Sequence, residues 1–475
     1  MKDQFASYFE KPEFKETFAR YEEMLQSGDT RYFEATELTE IAEYYAMYGD
    51  SKRAEEALDY ALRLHPDNID ALIFKARARL INGQLSEAIN IAACFTDQSD
   101  REVMFLKAEL ALADMKHEQA TEILRTLVET EGYAAGTYAD IVDLLVDNKQ
   151  IDMANDWLEE ALTRHPDKQI LIESAAFSYG QQERFDEAIA AYNKLLDIDP
   201  YSNLYWEELG KIHFLREEYD KDIDAFEFAI AINNDDKRYA TYAAANSYYN
   251  IGNYERAEEY YQQVHECYPN TVDPLFHMGM CRVNSGDDEK ALDYFTQALI
   301  TVPEGSEEQA QIYSQLSLIF SRKGEHERAL AYVDQALLIC PENTELIIMK
   351  GHELLCQGFF DESNELFLEA LTLKPEQGER TLFLIAVSMM ENNRYEMSYN
   401  ILRLLRDNPA IEADLLYPYL CLCEWVLHDI HFEETLTKSL TISPVKTYEI
   451  FNIPAAQGES AEQMITRLRQ LTIEN

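Results

Sequence analysis

NLYWEELGKIHFLREEYDKDIDAFEFAIAINNDD, residues 203–236, is the stretch that decides the fold. Apolar residues recur in it every three or four positions, first in one run and then in a second, with a break at Tyr219-Asp220. This spacing predicts two short amphipathic helices packed as a hairpin. The pattern is carried by Trp206, Leu209, Gly210 and His213 in the first run, and by Phe226 and Ala229 in the second.

The same hairpin pattern recurs along most of the chain at a spacing of about 34 residues, which overrides the usual expectation of several globular domains for a chain of 475 residues. Glycines fall between the paired runs, where a positive φ is useful, and prolines fall just past each second run, where they stop a helix. Two independent signals therefore place the same boundaries. The glycines are Gly83, Gly252, Gly286, Gly324 and Gly358, and the prolines are Pro166, Pro200, Pro269, Pro303, Pro341 and Pro375.

Two positions of each repeat are usually small: the eighth and the twentieth residue counted from its start. Small residues that face each other let the two helices of a hairpin approach closely, so we expect a larger residue there to destabilise the packing. The eighth position holds Ala42, Ala76, Ala108, Ala176, Gly210, Ala245, Gly279 or Gly351, and the twentieth holds Ala54, Ala88, Ala120, Ala154, Ala188, Ala257, Ala291 or Ala329.

The charge balance is strongly acidic: 41 Lys and Arg stand against 88 Asp and Glu, a formal net charge of −47. Proteins that bind nucleic acid or anionic membranes depend on cationic contacts to phosphate, so this balance argues against DNA, RNA or a membrane as the main ligand. Two interpretations of the acidic surface are open. It keeps a long protein soluble by self-repulsion, or it selects a partner protein with a basic segment.

Seven cysteines are present, with no CxxC pair and no histidine at zinc-finger spacing, which is typical of a reducing compartment. The N-terminus lacks the apolar core of a secretion signal, and no stretch approaches the roughly 18 uncharged apolar residues needed to span a bilayer. We therefore expect a cytoplasmic protein.

The N-terminal end departs from the repeat. Residues 1–34 predict a helical cap that begins near Pro12, ends at Gly28 and covers the first repeat. Its apolar face is expected to consist of Phe14, Phe18, Tyr21 and Leu25.

The array itself is predicted to occupy residues 35–440, with eleven or twelve repeats of which the last is degenerate. After Pro409 the register is hard to fix, and Pro418 predicts that the next helix starts near Tyr417. Residues 441–475 predict a tail with a C-terminal capping helix, opened by the capping-box spacing Ser460-x-x-Gln463.

The array resembles the tetratricopeptide repeat family over residues 35–411, since repeats carry Trp or Leu at position 4, a small residue at 8, Tyr at 11, Ala at 20, Phe or Tyr at 24, Ala at 27 and Pro at 32. The resemblance implies an all-α fold, an α–α superhelix or solenoid of tandem helix-turn-helix repeats. It also implies that the first helix of each pair lines a concave groove that binds extended or helical segments of other proteins. An extended surface follows from the packing as well, because each hairpin buries its faces only against its neighbours.

Family geometry directs positions 2, 5, 9, 12 and 13 of each repeat into the groove. Aromatic residues and asparagines gather there, and they suit a peptide ligand, because rings bury apolar area at low entropy cost and Asn both donates to and accepts from a backbone. The alternative is that the tyrosines pack against adjacent helices. The predicted partner-binding residues are Lys211, Phe214, Tyr239, Tyr242, Asn246, Tyr249, Asn250, Phe276, Met280 and Asn284.

Towards the N-terminus the same positions are mostly acidic. They form either a wall that favours Lys or Arg on a partner or a solvated face. Some members of the family grip a C-terminal carboxylate with Lys and Asn at fixed groove positions, but this chain does not assemble such a set, so we expect no affinity for acidic C-terminal tails. The residues of the wall are Thr39, Glu43, Glu109, Asp140, Asp143, Glu173 and Glu207.

No catalytic constellation stands out. None of the His-Glu pairs is followed by the second histidine of a zinc peptidase helix, and His428-x-x-His431 with Glu433 lacks a further ligand. Phosphate-binding loops and nucleophile elbows are absent from the sequence. The sequence therefore predicts no enzyme, no metal site and no cofactor.

Two hypotheses on function follow. The first is an interaction scaffold whose groove holds a segment of another protein. The second is a structural protein that self-associates to form a homo-oligomer, because an apolar run near the C-terminus needs cover; residues 441–475 are the alternative source of that cover. The run consists of Leu415, Leu416, Tyr417, Leu420, Leu422, Trp425 and Val426.

Overall fold

The structure, a computed structural model, describes Phe9 and residues 11–233, 237–269, 271–406, 408–454 and 460–474. Within these residues the regular elements are twenty-seven α-helices and one 3-10 turn, Pro375–Gln377, with no strand. The predicted all-α class is confirmed. The chain divides into two compact units, Met1–Ile232 (unit 1) and Asn233–Asn475 (unit 2). No helix in the described ranges is both long and apolar enough to cross a lipid bilayer.

Unit 1 consists of a lead helix followed by six helix pairs. The lead helix is α1 (Pro12–Ser27), and the pairs are α2 (Ala35–Met47) with α3 (Ser51–Leu64), α4 (Ile69–Ile81) with α5 (Leu85–Ala93), α6 (Arg101–Ala113) with α7 (His117–Thr130), α8 (Ala135–Asp147) with α9 (Ile151–Arg164), α10 (Gln169–Gln181) with α11 (Phe185–Ile198), and α12 (Asn203–Leu215) with α13 (Tyr219–Ile232).

Unit 2 contains six further pairs and two terminal helices. The pairs are α14 (Arg238–Asn250) with α15 (Tyr254–Cys267), α16 (Asp273–Asn284) with α17 (Asp288–Thr301), α18 (Glu307–Arg322) with α19 (His326–Ile339), α20 (Thr344–Cys356) with α21 (Phe360–Leu373), α22 (Gly378–Glu391) with α23 (Tyr395–Leu405), and α24 (Ala413–Val426) with α25 (Phe432–Ile442); α26 (Pro444–Ile450) and α27 (Ala461–Glu474) follow.

The turns inside the pairs require a left-handed residue. All five glycines that the sequence places there have φ between 73 and 86°, a conformation that costs glycine nothing. Six turns use another residue at φ between 56 and 60°, at a cost in strain. These six are Met115, Lys149, Glu183, Glu217, Asn393 and His428.

The two small positions of a repeat face each other, as expected. The Ser317 hydroxyl, at position 8, donates to the Ala329 carbonyl at position 20 at 2.9 Å. The Ser363 hydroxyl, at position 20, donates to the carbonyl of Gly351 at 2.7 Å. Where position 8 is glycine, the space beside it is taken by an aromatic ring from position 24 of the same repeat.

Successive pairs stack in sequence order within each unit. The second helix of one pair packs against the first helix of the next, as α15 does on α16 and α19 on α20. Each stretch of core is therefore local, and clusters such as Ala245, Tyr261 and Met278 join two neighbouring repeats. This is the packing expected of a repeat solenoid, in which every hairpin depends on its neighbours for burial.

The N-terminal helix α1 begins at Pro12 and ends at Gly28, whose φ is 73°. Phe14 lies 5.4 Å and Phe18 4.7 Å from the ring of Tyr44, so α1 contacts the first repeat. Its expected face is wrong at one residue, because Leu25 is 43% exposed and the adjacent Met24 is buried instead.

The helix start predicted near Tyr417 is wrong. Helix α24 begins at Ala413 and runs through Pro418, which is buried in its first half. A proline there removes one N–H bond to the carbonyl four residues back, and the apolar packing of the helix outweighs that loss. Leu416 and Leu420 of this helix are 1% and 0% exposed, so most of the apolar run is covered within the chain.

The C-terminal capping box is confirmed. The Ser460 N–H donates to Gln463 Oε1 at 2.8 Å, and the Gln463 N–H donates to Ser460 Oγ at 3.4 Å. Helix α27 then packs on α25. Residues of the two terminal helices and of α24 and α25 share one apolar cluster, which contains Cys421, Phe432, Leu436, Tyr448, Met464, Ile465 and Leu468.

Candidate functional site

Within each unit, the candidate site is the surface formed by the first helices of the pairs, named the first-helix face. Several first helices contact each other directly: α2 with α4, α4 with α6 and α8 with α10 in unit 1, and α20 with α22 and α22 with α24 in unit 2. The first helices therefore form a continuous wall over these stretches. Its side chains belong to different repeats, so only stacking brings them together.

Tyr242 and Asn246, two predicted contact residues of unit 2, are held by aromatic neighbours. The ring centroid of Tyr242 lies 5.5 Å from that of Tyr261 and 5.7 Å from that of His277. The Tyr261 hydroxyl donates to Asn246 Oδ1 at 2.6 Å. Both groups thus have structural contacts, so the alternative of tyrosines packed against adjacent helices applies to part of the predicted set.

Burial fixes the protonation of this aromatic cluster. It raises the pKa of Tyr242 to about 12, with the carboxylate of Asp273 acting in the same direction. It lowers the pKa of His277 to about 4, against the opposing effect of Asp273. At pH 7 the phenol and the imidazole are therefore both neutral, and the cluster presents hydrogen-bonding and apolar groups rather than charge.

Tyr249 and Asn284, 35 residues apart, meet on the first-helix face. The Asn284 amide donates to the Tyr249 hydroxyl oxygen at 2.5 Å, and the Tyr249 ring lies 5.4 Å from that of Tyr254. Burial raises the pKa of Tyr249, and the bond from Asn284 partly offsets the rise. The predicted pair thus braces two successive repeats and leaves the tyrosine half-buried.

The remaining predicted residues of unit 2 differ in exposure. Tyr239 is 43% exposed, and Asn250 is exposed as well. Phe276 and Met280 are half-buried and pack on the core around Phe295, whose ring lies 5.7 Å from that of Phe276. Of these four residues, Tyr239 and Asn250 offer the most surface to a partner.

Lys211 and Phe214 belong to unit 1 and are considered within it. Lys211 Nζ lies 2.6 Å from Glu208 Oε1 on the same helix. The Phe214 ring meets the ring of Tyr219 edge-on at 5.8 Å. Both side chains are half-buried on α12. A partner that contacts the Lys211 ammonium group would therefore also meet Glu208, and one that contacts the Phe214 ring would also meet Tyr219.

The acidic wall predicted in unit 1 is partly neutralised by arginines from adjacent repeats. Arg77 Nε lies 3.0 Å from Glu109 Oε2, and Arg101 forms an ion pair with Asp140. Glu173 accepts hydrogen bonds from Gln169, at 3.1 Å, and from a tyrosine. The sequence could not reveal these partners, because they come from residues up to about one repeat away.

Three other members of the wall differ in burial and contacts. Thr39 is buried and donates to the Ala35 carbonyl at 2.9 Å, so its place in the wall was wrong. Glu207 accepts a hydrogen bond from Asn203 at 2.7 Å. Burial and the carboxylates of Glu40 and Asp70 raise the pKa of Glu43.

Asp143 is the most perturbed carboxyl of the wall. Burial raises its pKa to about 6, and the neighbouring Asp140, Asp147 and Glu173 add to the rise, while a hydrogen bond with Ser174 opposes it. Its Oδ1 is buried without a hydrogen-bond partner among the described residues. The wall therefore carries less negative charge than the sequence alone suggests.

Unit 2 contains a cavity of about 710 Å³ that the sequence did not predict. It lies between α16, α18 and α20 and contains only one of the predicted site residues, Phe276. We name it the amide pocket, after the glutamine side chains in its wall. Its lining is Phe276, Glu307, Ala310, Gln311, Ser314, Gln315, Ile339, Cys340, Pro341, Glu342, Asn343, Glu345, Leu346, Met349 and Lys374.

One wall of the amide pocket is formed by α18, a first helix that is longer than its neighbours. Helix α18 has 16 residues, whereas its counterparts α16 and α20 have 12 and 13. The extra turn begins after Ser306, whose hydroxyl accepts from the Gln309 N–H at 3.2 Å. The spacing Ser306-x-x-Gln309 was the sequence signal for this extension.

Two histidines considered above as metal ligands pair with carboxylates instead. His326 Nδ1 lies 2.9 Å from the buried carboxylate of Glu353, and His431 Nδ1 lies 2.8 Å from Asp429. Across the residues placed by the structure, no group of three or more His, Cys, Asp and Glu side chains could hold a metal ion.

Comparison with protein families gives several matches along the chain. A family model described as tetratricopeptide repeat matches residues 41–93, 140–203 and 174–237. Two further models with the same description match residues 239–271 and 310–343.

Two curated proteins are similar in sequence. Anaphase-promoting complex subunit 3 of Schizosaccharomyces pombe is 27% identical over 121 residues, which are 25% of this chain and 18% of that protein. A TPR repeat-containing protein of Methanocaldococcus jannaschii is 25% identical over 301 residues, 58% of this chain and 52% of that protein. The chain thus spans about half the length of one relative and less of the other.

Solved structures of helical repeats are also similar. YrrB, described as a TPR protein with an unusual peptide-binding site, is 22% identical with a TM-score of 0.34, over 40% of this chain and 95% of that one. A tetratricopeptide repeat protein from Parabacteroides merdae is 16% identical with a TM-score of 0.36, over 52% of this chain and 96% of that one.

Proposed function

The chain is a tetratricopeptide repeat protein, and from this premise we propose that it is a scaffold that binds a peptide or helical segment of another protein on its first-helix face, without catalysis. One observation carries the proposal. In unit 2 the first-helix face combines exposed contact groups, such as Tyr239 and Asn250, with a cavity of about 710 Å³. A binding surface needs both contact groups and concavity.

The braced side chains of unit 2 support the proposal. Tyr242 is fixed by Tyr261 and His277, and Tyr249 is fixed by Asn284. A surface whose aromatic groups are already ordered loses little side-chain entropy when a ligand binds. These contacts reduce the area that Tyr242 and Tyr249 expose to a partner, but they also hold both side chains in place before a partner binds.

The charge balance favours a partner with a basic segment. The net charge of −47 attracts a cationic ligand and repels nucleic acid and anionic lipid. Ion pairs such as Arg77 with Glu109 reduce the charge of unit 1 locally. We therefore propose attraction by the whole surface rather than by one acidic row, and expect binding to weaken as salt screens it.

Two of the buried cysteines lack the activation that covalent chemistry needs. Burial raises the pKa of the Cys281 thiol to about 12 and that of Cys423 to about 11. A nucleophilic cysteine needs a lowered pKa, because the thiolate is the reactive form. These thiols are therefore suited to packing.

Self-association loses its main support, because most of the apolar run of α24 packs against α22 and α23, and Trp425 packs against α25 and the terminal helices. We expect light scattering at several concentrations to give a constant mass near 55 kDa. A mass that rises with concentration would restore this alternative.

Site-specific photo-crosslinking tests the proposal. Benzoylphenylalanine is placed singly at Tyr239, Met280 or Gln311 on first helices, and at Ile300 or Leu338, which are 80% and 77% exposed on second helices. Irradiation in the source cells should link the same partner protein from the first-helix positions and not from the two controls. Crosslinks confined to the second helices would refute the assignment.

A further inference from the structure

We propose that the amide pocket binds an extended segment of a partner protein, with its backbone held by Gln311 and Gln315 and with an aliphatic side chain beside a basic one. This inference rests on the proposed function and names the chemistry of the ligand. It depends on three features of the pocket: its amides, its apolar floor and its charge.

Gln311 and Gln315 lie one turn apart on α18, and both line the cavity. Residues four apart on a helix are separated by about 6 Å along its axis. Alternate residues of an extended chain are separated by about 6.6–6.8 Å. A strand that runs along α18 can therefore offer the same backbone groups to both amides.

The two amides are available for this role. In the part of the chain that the structure describes, neither the Gln311 nor the Gln315 side chain has a hydrogen-bond partner. Nearby amides are already used: Gln309 Oε1 accepts from the Gly305 N–H at 2.9 Å, and Asn343 Oδ1 accepts from the Leu346 N–H at 3.2 Å. A ligand thus gains hydrogen bonds at Gln311 and Gln315 without breaking others.

An extended ligand fits these groups better than a helical one. The backbone N–H and C=O groups of a helix are bonded within it, so a helix has none to give to a side-chain amide except at its ends. An extended strand has every second backbone pair free on one side. The amides therefore select for strand geometry.

The floor of the pocket is apolar and adaptable. Phe276, Leu346 and Met349 line it, and Leu346 is 5% exposed. Methionine fills irregular space without a fixed shape, so the floor suits an unbranched or branched aliphatic side chain. Since successive side chains of a strand point to opposite sides, such a residue would be flanked by others that face solvent or the rim.

The rim is more acidic than basic. Glu307, Glu342 and Glu345 line the pocket against the single lysine Lys374. Glu345 Oε1 lies 2.8 Å from Arg380, whereas among the described residues Glu307 and Glu342 have no ion-pair partner. Glu307 in the first turn of α18 and Glu342 just before α20 therefore favour Lys or Arg on the ligand.

Peptide display tests the inference. A phage library of random nine-residue peptides is selected on the full chain, and the enriched peptides are synthesised with fluorescein for polarisation assays. We expect a shared Lys or Arg near a Leu, Ile, Met or Val. Gln311→Ala/Gln315→Ala should weaken binding about tenfold, as the loss of two hydrogen bonds implies.

Controls separate this inference from the proposed function. Gln335→Ala, an exposed glutamine on the second helix α19, should leave affinity unchanged, and N-methylation of the peptide backbone should abolish binding. Peptides that bind equally well to the double variant but are lost in Tyr239→Ala would overturn the pocket and leave the scaffold intact. An acidic consensus, or no enrichment at all, also counts against the pocket, while the crosslinking experiment continues to test the scaffold.

Discussion

Gly279 lies against the ring of Phe295 so closely that a Cβ added to the glycine would stand 2.5 Å from Phe295 Cε1. The two residues occupy positions 8 and 24 of one repeat, on opposite helices of the pair. In this repeat the phenylalanine ring at position 24 therefore fills the space that a Cβ at position 8 would occupy. The same relationship holds for Gly210 with Phe226, at 2.8 Å, and for Gly351 with Phe367, at 2.6 Å.

Gly279→Ala is expected to destabilise the protein by about 1–3 kcal/mol, because the ring cannot move away without disturbing a close-packed core. Urea unfolding followed by circular dichroism measures the change. Phe295→Leu in the same chain should recover part of the loss, since alanine and leucine already form this pair at Ala42 and Leu58.

Gly180→Ala is the matched control for that substitution. Gly180 is helical, and apart from its chain neighbours and its own helix backbone no atom of the described residues lies within 4 Å of the added Cβ. Alanine should therefore stabilise the helix by about 0.5–1 kcal/mol through its better propensity. A Gly279→Ala variant as stable as the wild type would show that the ring is free to shift.

The fold was predictable from sequence because its main signals are local. Helix periodicity, turn glycines and terminal prolines depend on neighbouring residues only, so they can be interpreted without coordinates. The same local rule failed at Pro418, where burial of α24 outweighs the missing N–H bond. A proline signal is reliable only when tertiary packing does not oppose it.

Met115 gives a second test of the turn chemistry. It has φ of 60° and is 74% exposed, in a turn of the kind where Gly252 has φ of 77°. The left-handed conformation costs a residue with a Cβ about 1–2 kcal/mol. Glycine avoids this cost, but it loses more conformational entropy on folding, which offsets part of the gain. Met115→Gly should therefore raise the free energy of unfolding by about 0.5–1 kcal/mol.

Gly252→Ala should have the opposite effect, a loss of about 1 kcal/mol, because alanine would have to adopt the left-handed conformation. Thermal and urea unfolding of both variants check the signs. If Met115→Gly were destabilising, the methionine side chain would have to contribute packing that its exposure argues against.

The candidate site was harder to predict than the fold, for a physical reason. The bond between Asn284 and Tyr249 and the ion pair between Arg77 and Glu109 join residues in different repeats. Their formation depends on the rotation between successive hairpins, which a periodic sequence does not specify. The amide pocket depends in addition on the longer helix α18.

Asp143 predicts a loss of stability as pH rises. Its pKa is raised to about 6 in the folded chain from an ordinary 3.8, so the folded state favours the protonated form. This stabilisation is complete below the unfolded pKa and is lost as pH rises through about 6. Asp143→Asn places a neutral group at this position and should stabilise the protein by about 1–2 kcal/mol at pH 7.5, a value that is discounted for the partial exposure of the side chain. At pH 4 the substitution should have no such effect.

Urea unfolding at the two pH values measures this difference. Asp156→Asn is the control, because Asp156 is exposed on the neighbouring helix α9 and should change stability by less than about 0.5 kcal/mol at either pH. An equal gain for Asp143→Asn at pH 4 and pH 7.5 would mean that the carboxyl group is not the cause.

His277 predicts the opposite dependence in unit 2. Its pKa is lowered to about 4 from 6.5, because the half-buried ring is shielded from water by Tyr242, Tyr261 and Phe276 and only Asp273 favours the cation. Below about pH 6.5 the unfolded chain takes up a proton that the folded chain cannot hold, so stability falls as pH drops towards 4. His277→Gln should remove this part of the acid sensitivity.

Proton NMR of the histidine ring gives the decisive measurement, since a His277 resonance assigned by comparison with His277→Gln should titrate below pH 5. A midpoint near 6.5 would mean that water reaches the ring, and the aromatic cluster on the first-helix face would then be open rather than preorganised. Because His277 contacts Tyr242 directly, the same titration reports whether this part of the proposed binding surface is rigid before any partner arrives.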